Sequence, residues 1–150
     1  MKKILLVLLI LIGAHSLIAQ TEPGMQPAGV TGDPGIQHKI IFQLSSEDTM
    51  LHKSLMKQLN NMFTVAPNSK IEVVCHGPGL ALLIKGKTTV QEKIIQLKKN
   101  DIVFVACEFS MAEKNIPKEK MIPEAGFVPY AIIEIVTKQE QGWSYIKPGF

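Results

Sequence analysis

The sequence predicts a three-layer α/β/α sandwich with a mostly parallel five-stranded sheet. Short apolar runs rich in β-branched residues recur along the chain, as is typical of strands that are buried on both faces. Segments with helical periodicity separate these runs, which favours parallel strands joined by helical crossovers. Because such crossovers are right-handed, the helices pack against the sheet and complete the sandwich.

Residues 1–19 are predicted to form a signal peptide. Lys2 and Lys3 give a basic start, an apolar run spans residues 4–12, and small residues then allow cleavage after Ala19. The apolar run is shorter than the roughly 20 residues that span a membrane. We therefore expect a periplasmic or secreted protein with no membrane segment after cleavage, and a retained anchor is the alternative.

Residues 20–37 are expected to form a flexible tail, because glycine and proline are frequent and apolar residues are few. The remaining residues, 38–150, are enough for one core and one domain. All 16 basic residues of the chain are lysine. Since arginine is the residue that binds phosphates and base edges in a bidentate manner, its absence argues against nucleic-acid recognition.

The first predicted elements are a strand, a helix and a second strand. The apolar run 39–44 predicts the first strand. Residues 45–48 supply helix-capping side chains, and apolar residues at helical spacing predict a helix over 49–63. Residues 66–69 break this helix, and the run 70–75 predicts the second strand.

The middle of the domain contains the third strand between helices. A short helical piece is predicted over 80–84. A longer helix is predicted over 89–99, and the threonine at the start of this longer helix caps it. The β-branched run 102–106 predicts a buried third strand. A short helix is then expected from Phe109 to about Lys114.

The last predicted elements are a brief fourth strand over 126–128, a helix over 131–141 and a short fifth strand over 143–146. Four apolar residues between Ile132 and Val136 give this helix an apolar face wider than a simple stripe. Such a face exceeds what one core of this size easily covers, so it predicts association into an oligomer.

Cys107 is the main candidate for chemistry. It follows the third predicted strand and precedes a predicted helix, at the edge of the sheet where α/β folds bind ligands. Backbone N–H groups at a helix start favour the nucleophilic thiolate of a cysteine. A small buried hydrophobic residue is the alternative interpretation.

The loops after the first three strands meet at this edge, and they bring His76 and Gly77 toward Cys107 and Glu108. An imidazole can orient or deprotonate a thiol, and glycine amides can bind an anion. The alternatives are a histidine satisfied by loop carbonyls and glycines that permit a tight turn. The glycines here match neither the P-loop nor the dinucleotide-binding pattern.

The second cysteine, Cys75, ends the second predicted strand. A disulfide between Cys75 and Cys107 is a further hypothesis, because an exported protein folds in an oxidising compartment. A closed zinc site is disfavoured, since these two cysteines and His76 would need Glu108 as a fourth ligand. We therefore predict no bound metal.

Four stretches stand in a recognisable order: Val-Val-Cys-His-Gly-Pro-Gly at 73–79, Ile-Val-Phe-Val-Ala-Cys-Glu-Phe-Ser-Met at 102–111, a third stretch at 122–136, and Gln-Gly-Trp-Ser-Tyr-Ile-Lys-Pro at 141–148. This series resembles the DsrE/DsrF-like family, with the closest match in its exported branch. The resemblance implies a DsrEFH-like three-layer sandwich that assembles into trimers or hexamers. It also implies that Cys107 corresponds to the cysteine that carries sulfur as a persulfide, and His76 to the histidine of the His-Gly-Pro loop.

These observations lead to two functional hypotheses. The first is an exported protein that handles sulfur or thiol redox through Cys107, exchanges sulfur with a protein donor or acceptor, and needs no organic cofactor. Such a protein would be at most a sulfur carrier or transferase. The second is a non-catalytic homo-oligomeric module that binds a small ligand or a partner near His76 and Cys107 without cysteine chemistry.

Overall fold

The computed structural model describes residue 35 and residues 37–149. The predicted signal peptide at 1–19 and nearly all of the predicted tail at 20–37 lie outside the described residues. The described chain contains five strands, four α-helices and two 3₁₀ segments. In chain order these are β1 (Lys39–Leu44), α1 (Thr49–Val65), β2 (Lys70–Cys75), a 3₁₀ segment (Gly77–Leu83), α2 (Gln91–Lys98), β3 (Val103–Cys107), α3 (Glu108–Glu113), a second 3₁₀ segment (Lys118–Lys120), β4 (Gly126–Val128), α4 (Ala131–Glu140) and β5 (Ser144–Ile146).

The five strands form one sheet in the order β4-β3-β2-β1-β5, and every neighbouring pair is parallel. The chain therefore moves outward from β1 to β4 and then returns to the other side of β1. This architecture confirms the predicted α/β class with its parallel five-stranded sheet.

Alternating strand residues divide the core between the two faces of the sheet. On one face, Phe42, Val73 and Phe104 pack against α1, α2, α3 and the first 3₁₀ segment. On the other face, a smaller cluster that includes Val74 and Val105 is covered by α4. The sheet is thus the middle of three layers, and α4 alone among the described helices covers its second face.

Local capping explains where the helices begin. The Asp48 carboxylate accepts a hydrogen bond from the Met50 N–H at 2.8 Å, so α1 starts at the predicted residue. Helix α2 starts at Gln91, two residues later than predicted, and its N-cap is the buried Val90 rather than a threonine. Thr88 Oγ1 still accepts a 3.4 Å hydrogen bond from the Val90 N–H. The predicted helical piece at 80–84 is instead a 3₁₀ segment that already begins at Gly77.

Within the described residues, no helix combines the length and apolar character that a membrane crossing requires.

Candidate functional site

A crevice opens where the chain changes from one face of the sheet to the other. The connection after β3 enters α3, whose Met111 packs on the first face. The connection after the neighbouring β4 enters α4, whose Ala131 packs on the second face. The carboxyl ends of β3 and β4 therefore diverge at a topological switch point, which is where open α/β sheets bind ligands.

Cys107 lies at this switch point and contacts the start of α4. Its Sγ accepts a hydrogen bond from the Ala131 N–H at 3.3 Å and lies 3.9 Å from the Pro129 carbonyl oxygen, to which the thiol donates. Ala131 is the first residue of α4, so its N–H has no partner within the helix and is free to bind sulfur. A donor at the positive end of a helix stabilises negative charge on the sulfur.

The crevice is a cavity of about 340 Å³ that Cys107 shares with His76. Cys107 is only 3% exposed, whereas Phe109 and Tyr130 are about half exposed. The cysteine therefore forms the inner end of the cavity and the two aromatic rings, whose centroids are 5.4 Å apart, form its mouth. The walls are completed by Ser110, Glu113, Ala131, Ile132 and Ile133.

His76 is fixed by a chain of hydrogen bonds that crosses β1 to β5. The Tyr145 hydroxyl donates to Gln43 Oε1, and the Gln43 amide lies 2.9 Å from His76 Nε2. Because the Gln43 carbonyl oxygen already accepts from Tyr145, its NH₂ group faces His76 and donates to Nε2. The imidazole proton is thereby assigned to Nδ1.

We predict that His76 is mostly neutral at pH 7. Partial burial, and secondly the positive charge of Lys147, lower the pKa of its imidazole below the usual value of about 6.5. The unfolded chain then binds more protons than the folded one, so His76 destabilises the fold progressively as pH falls below about 6.5.

Imidazole ¹H–¹⁵N NMR spectra recorded across pH should show a midpoint below 6.5 and a neutral ring protonated at Nδ1. The variant Tyr145→Phe, which frees the Gln43 amide, should increase the population of the other tautomer. A midpoint above 6.5 in the wild-type protein would contradict this assignment.

The other two predicted site residues lie outside the Cys107 cavity. Glu108, the first residue of α3, forms an ion pair with Lys118. Gly77 has a φ of +52° and lines a separate small cavity of about 80 Å³. The structure therefore brings His76 and Cys107 together in one cavity. Gly77 and Glu108 lie outside that cavity.

The two cysteines face opposite sides of the sheet and are both free. Cys75 belongs to the core cluster under α1 and α2, whereas Cys107 belongs to the cluster under α4. Complete burial raises the pKa of the Cys75 thiol well above its usual range. No disulfide joins the pair, and the described residues contain no group of three His, Cys, Asp or Glu side chains placed to hold a metal.

These features define a small parallel α/β protein that presents one cysteine in a switch-point crevice. The sequence model of the DsrE/DsrF-like family matches residues 39–148, so the chain belongs to that family, as the sequence motifs predicted. Its structure is similar to that of a protein of unknown function, MTH1491, from Methanobacterium thermoautotrophicum, with a TM-score of 0.71 and 20% sequence identity over 75% of this chain and 100% of that chain. At this identity the similarity establishes the fold. No curated protein matches the chain in sequence.

Proposed function

We propose that the protein carries sulfur on Cys107 as a persulfide and exchanges it with partner proteins. The observation that carries this proposal is the 3.3 Å hydrogen bond from the Ala131 N–H to Cys107 Sγ at the switch point. A carrier thiol has to ionise, attack a sulfur donor and hold the resulting persulfide anion. A fixed N–H at a helix start supports each of these steps, because it favours negative charge on the sulfur.

The loading step needs a donor that contains a sulfur–sulfur bond, such as thiosulfate. The Cys107 thiolate attacks the outer sulfur of thiosulfate, a new S–S bond forms at Cys107, and the old S–S bond breaks. Sulfite leaves with the bonding electron pair, so the sulfur atoms and charges balance without any further oxidant. His76 does not act as the base in this step, because its Nε2 already accepts a hydrogen bond from Gln43 and its other ring nitrogen carries the proton.

The proposal is tested by incubating the purified protein with thiosulfate or polysulfide and recording its intact mass. We expect a gain of one sulfur atom that is lost on treatment with a reductant. An unchanged mass with both donors would refute the carrier proposal.

The second candidate is a binding module without cysteine chemistry. It is favoured by the 3% exposure of Cys107 and by the aromatic mouth of the cavity, which resembles the apolar lining of many ligand sites. In that case the protein would keep its mass in the sulfur donors and would still bind a small ligand or partner beside His76 and Cys107.

We also propose that the protein is a homotrimer or hexamer assembled through α4. The outer face of α4 exposes Ile132, Ile133 and Val136, and Ile133 is 63% exposed. Exposed apolar residues that adjoin one another are typical of an association surface.

Replacing Ile133 with lysine should therefore dissociate the oligomer into monomers at micromolar concentration, as measured by light scattering. The matched control is Ile95→Lys on α2, since Ile95 is also exposed, at 38%, but lies on the opposite face of the sheet. A wild-type monomer, or equal dissociation by both variants, would contradict an interface on α4.

Export to the periplasm or beyond is a further proposal, and it rests on the basic and apolar residues of 1–19. The full chain can be fused to a reporter enzyme that is active only outside the cytoplasm and has no export signal of its own. This fusion should give reporter activity. Deletion of residues 1–19 should retain the fusion inside.

A further inference from the structure

A groove runs between helices α1 and α2, on the face of the sheet opposite α4. Its volume is about 440 Å³, within the range of small-molecule sites. The floor consists of Met56 and Leu97, which are 1% and 4% exposed, and every other side chain that lines the groove is polar. The groove shares no lining residue with the Cys107 cavity, so a ligand held here is independent of the cysteine.

Three lysines line this groove, and no carboxylate does. Lys53 and Lys57 are four residues apart on α1 and are therefore neighbours on one face of the helix, while Lys93 comes from α2. None of the three ammonium groups forms an ion pair with a carboxylate of the described residues. Like charges at this spacing repel one another, and a bound anion would relieve that repulsion.

The carboxylates nearest in sequence do not neutralise the groove. Glu92 is the one acidic residue within α1 and α2, and it lies outside the lining. Beyond the helix ends, Asp48 caps α1, and Asp101 lines a separate cavity of about 570 Å³ at the amino edge of the sheet. Even if Glu92 is counted in full, the three lysines leave 3 − 1 = 2 positive charges at the groove. The groove therefore favours an anion and disfavours a cation.

Side-chain amides line the other end of the groove. Helices α1 and α2 run in the same direction, because each returns the chain from one parallel strand to the start of the next. On α1, Asn60 follows Lys53 by seven residues, about 10 Å along the helix. On the other side, Gln96 and Asn100 follow Lys93 in the same sense. The groove thus has a cationic end and an amide end, and amides exchange hydrogen bonds with uncharged polar groups.

We propose that this groove binds a small phosphate monoester with an uncharged polar remainder, of the class of the sugar phosphates. A phosphate monoester carries nearly two negative charges and three terminal oxygens, which match the three ammonium groups. A carboxylate has one charge and two oxygens and would leave a lysine without a partner. Lysine binds phosphate as a point charge, so the site does not require arginine. The hydroxyl groups of the ligand bind the amides of Asn60, Gln96 and Asn100.

The experiment is an NMR titration of the ¹⁵N-labelled protein at low ionic strength, where exposed charges are least screened. The probes are glucose 6-phosphate, inorganic phosphate, glucose and gluconate. We expect glucose 6-phosphate to give saturable shifts of the side-chain amide signals of Asn60, Gln96 and Asn100, inorganic phosphate to bind more weakly, and glucose to give no shift. Equal affinity for gluconate or inorganic phosphate, or no saturable shift with glucose 6-phosphate at high millimolar concentration, would overturn the proposal.

Two variants test the assigned charges. Lys57→Gln and Lys93→Gln should each weaken binding of glucose 6-phosphate by about five-fold, the loss expected for one exposed charge pair. The matched control is Lys99→Gln, which removes the same charge just after α2 but outside the lining of the groove, and it should leave the affinity nearly unchanged. All three lysines are exposed, so the variants should keep the fold. Equal weakening by all three variants would reveal a diffuse positive field and overturn the site.

Discussion

Replacing Cys107 with serine should abolish sulfur loading from thiosulfate or polysulfide. The hydroxyl keeps nearly the size of the thiol and can still accept from the Ala131 N–H, so the fold and the crevice should remain. Serine does not ionise near neutral pH and cannot form a persulfide, and the mass gain should therefore fall to background. Intact mass spectrometry of both proteins, with and without reductant, measures the effect.

The matched control for this substitution is Cys75→Ala, which should load sulfur as the wild type does. Alanine is preferred to serine at this position, because Cys75 is completely buried in the core and a serine hydroxyl would lack a partner there. If loading persisted in Cys107→Ser but disappeared in Cys75→Ala, the sulfur carrier would be Cys75 and the assignment to Cys107 would be wrong.

Replacing Gly79 with alanine should lower the free energy of unfolding by at least about 2 kcal/mol. Gly79 lies in the 3₁₀ segment after His76, and its Cα packs directly against the end of β1. An added Cβ would overlap the Leu44 carbonyl oxygen and would lie 2.6 Å from the Leu44 carbonyl carbon. Since the obstruction is backbone, no side chain can move aside to relieve it.

Urea denaturation of Gly79→Ala and the wild type measures this loss. Gly149→Ala is the matched control: nothing lies within 4 Å of its added Cβ, so its effect should be within about 0.5 kcal/mol. Because the Gly79 N–H also donates to the His76 carbonyl oxygen at 2.9 Å, the variant should disturb the imidazole resonances of His76 as well. Equal stability of the two glycine variants would contradict this prediction, because it would show that the Leu44 backbone can move away from the added Cβ.

The fold was predictable because its signals are local. The β-branched runs at 39–44 and 70–75 coincide with β1 and β2, and the third predicted strand is displaced by one residue. Capping chemistry placed the start of α1 correctly, since Asp48 accepts from the Met50 N–H as its position suggests. The start of α2 was placed two residues too early, because the threonine hydroxyl of Thr88 binds the Val90 N–H in the turn before the helix and does not cap the helix itself.

The geometry of the crevice was not predictable, because it depends on which strands are neighbours. The sequence identified Cys107 and His76 but not the donor from Ala131, which approaches only since β4 pairs with β3. The contact between Gln43 and Tyr145 likewise requires β5 to lie beside β1. Periodicity and propensity contain no information on strand order.

The second strand contains a further sequence signal of a functional position. Glu72 is a charged residue inside the otherwise apolar run Ile-Glu-Val-Val, and a carboxylate in a buried strand requires a partner or a function. That position marks both the ion pair with Lys138 and the cavity at the amino edge of the sheet.

A sulfur carrier of the proposed kind requires that Cys107 reacts in the native protein while Cys75 does not. The most direct measurement is brief iodoacetamide treatment of the folded protein at neutral pH, followed by peptide mapping of both cysteines. We predict that Cys107 is alkylated through the crevice and that Cys75 becomes modified only after denaturation. Equal protection of the two cysteines in the native state would contradict the claim and would leave the crevice as a binding site alone.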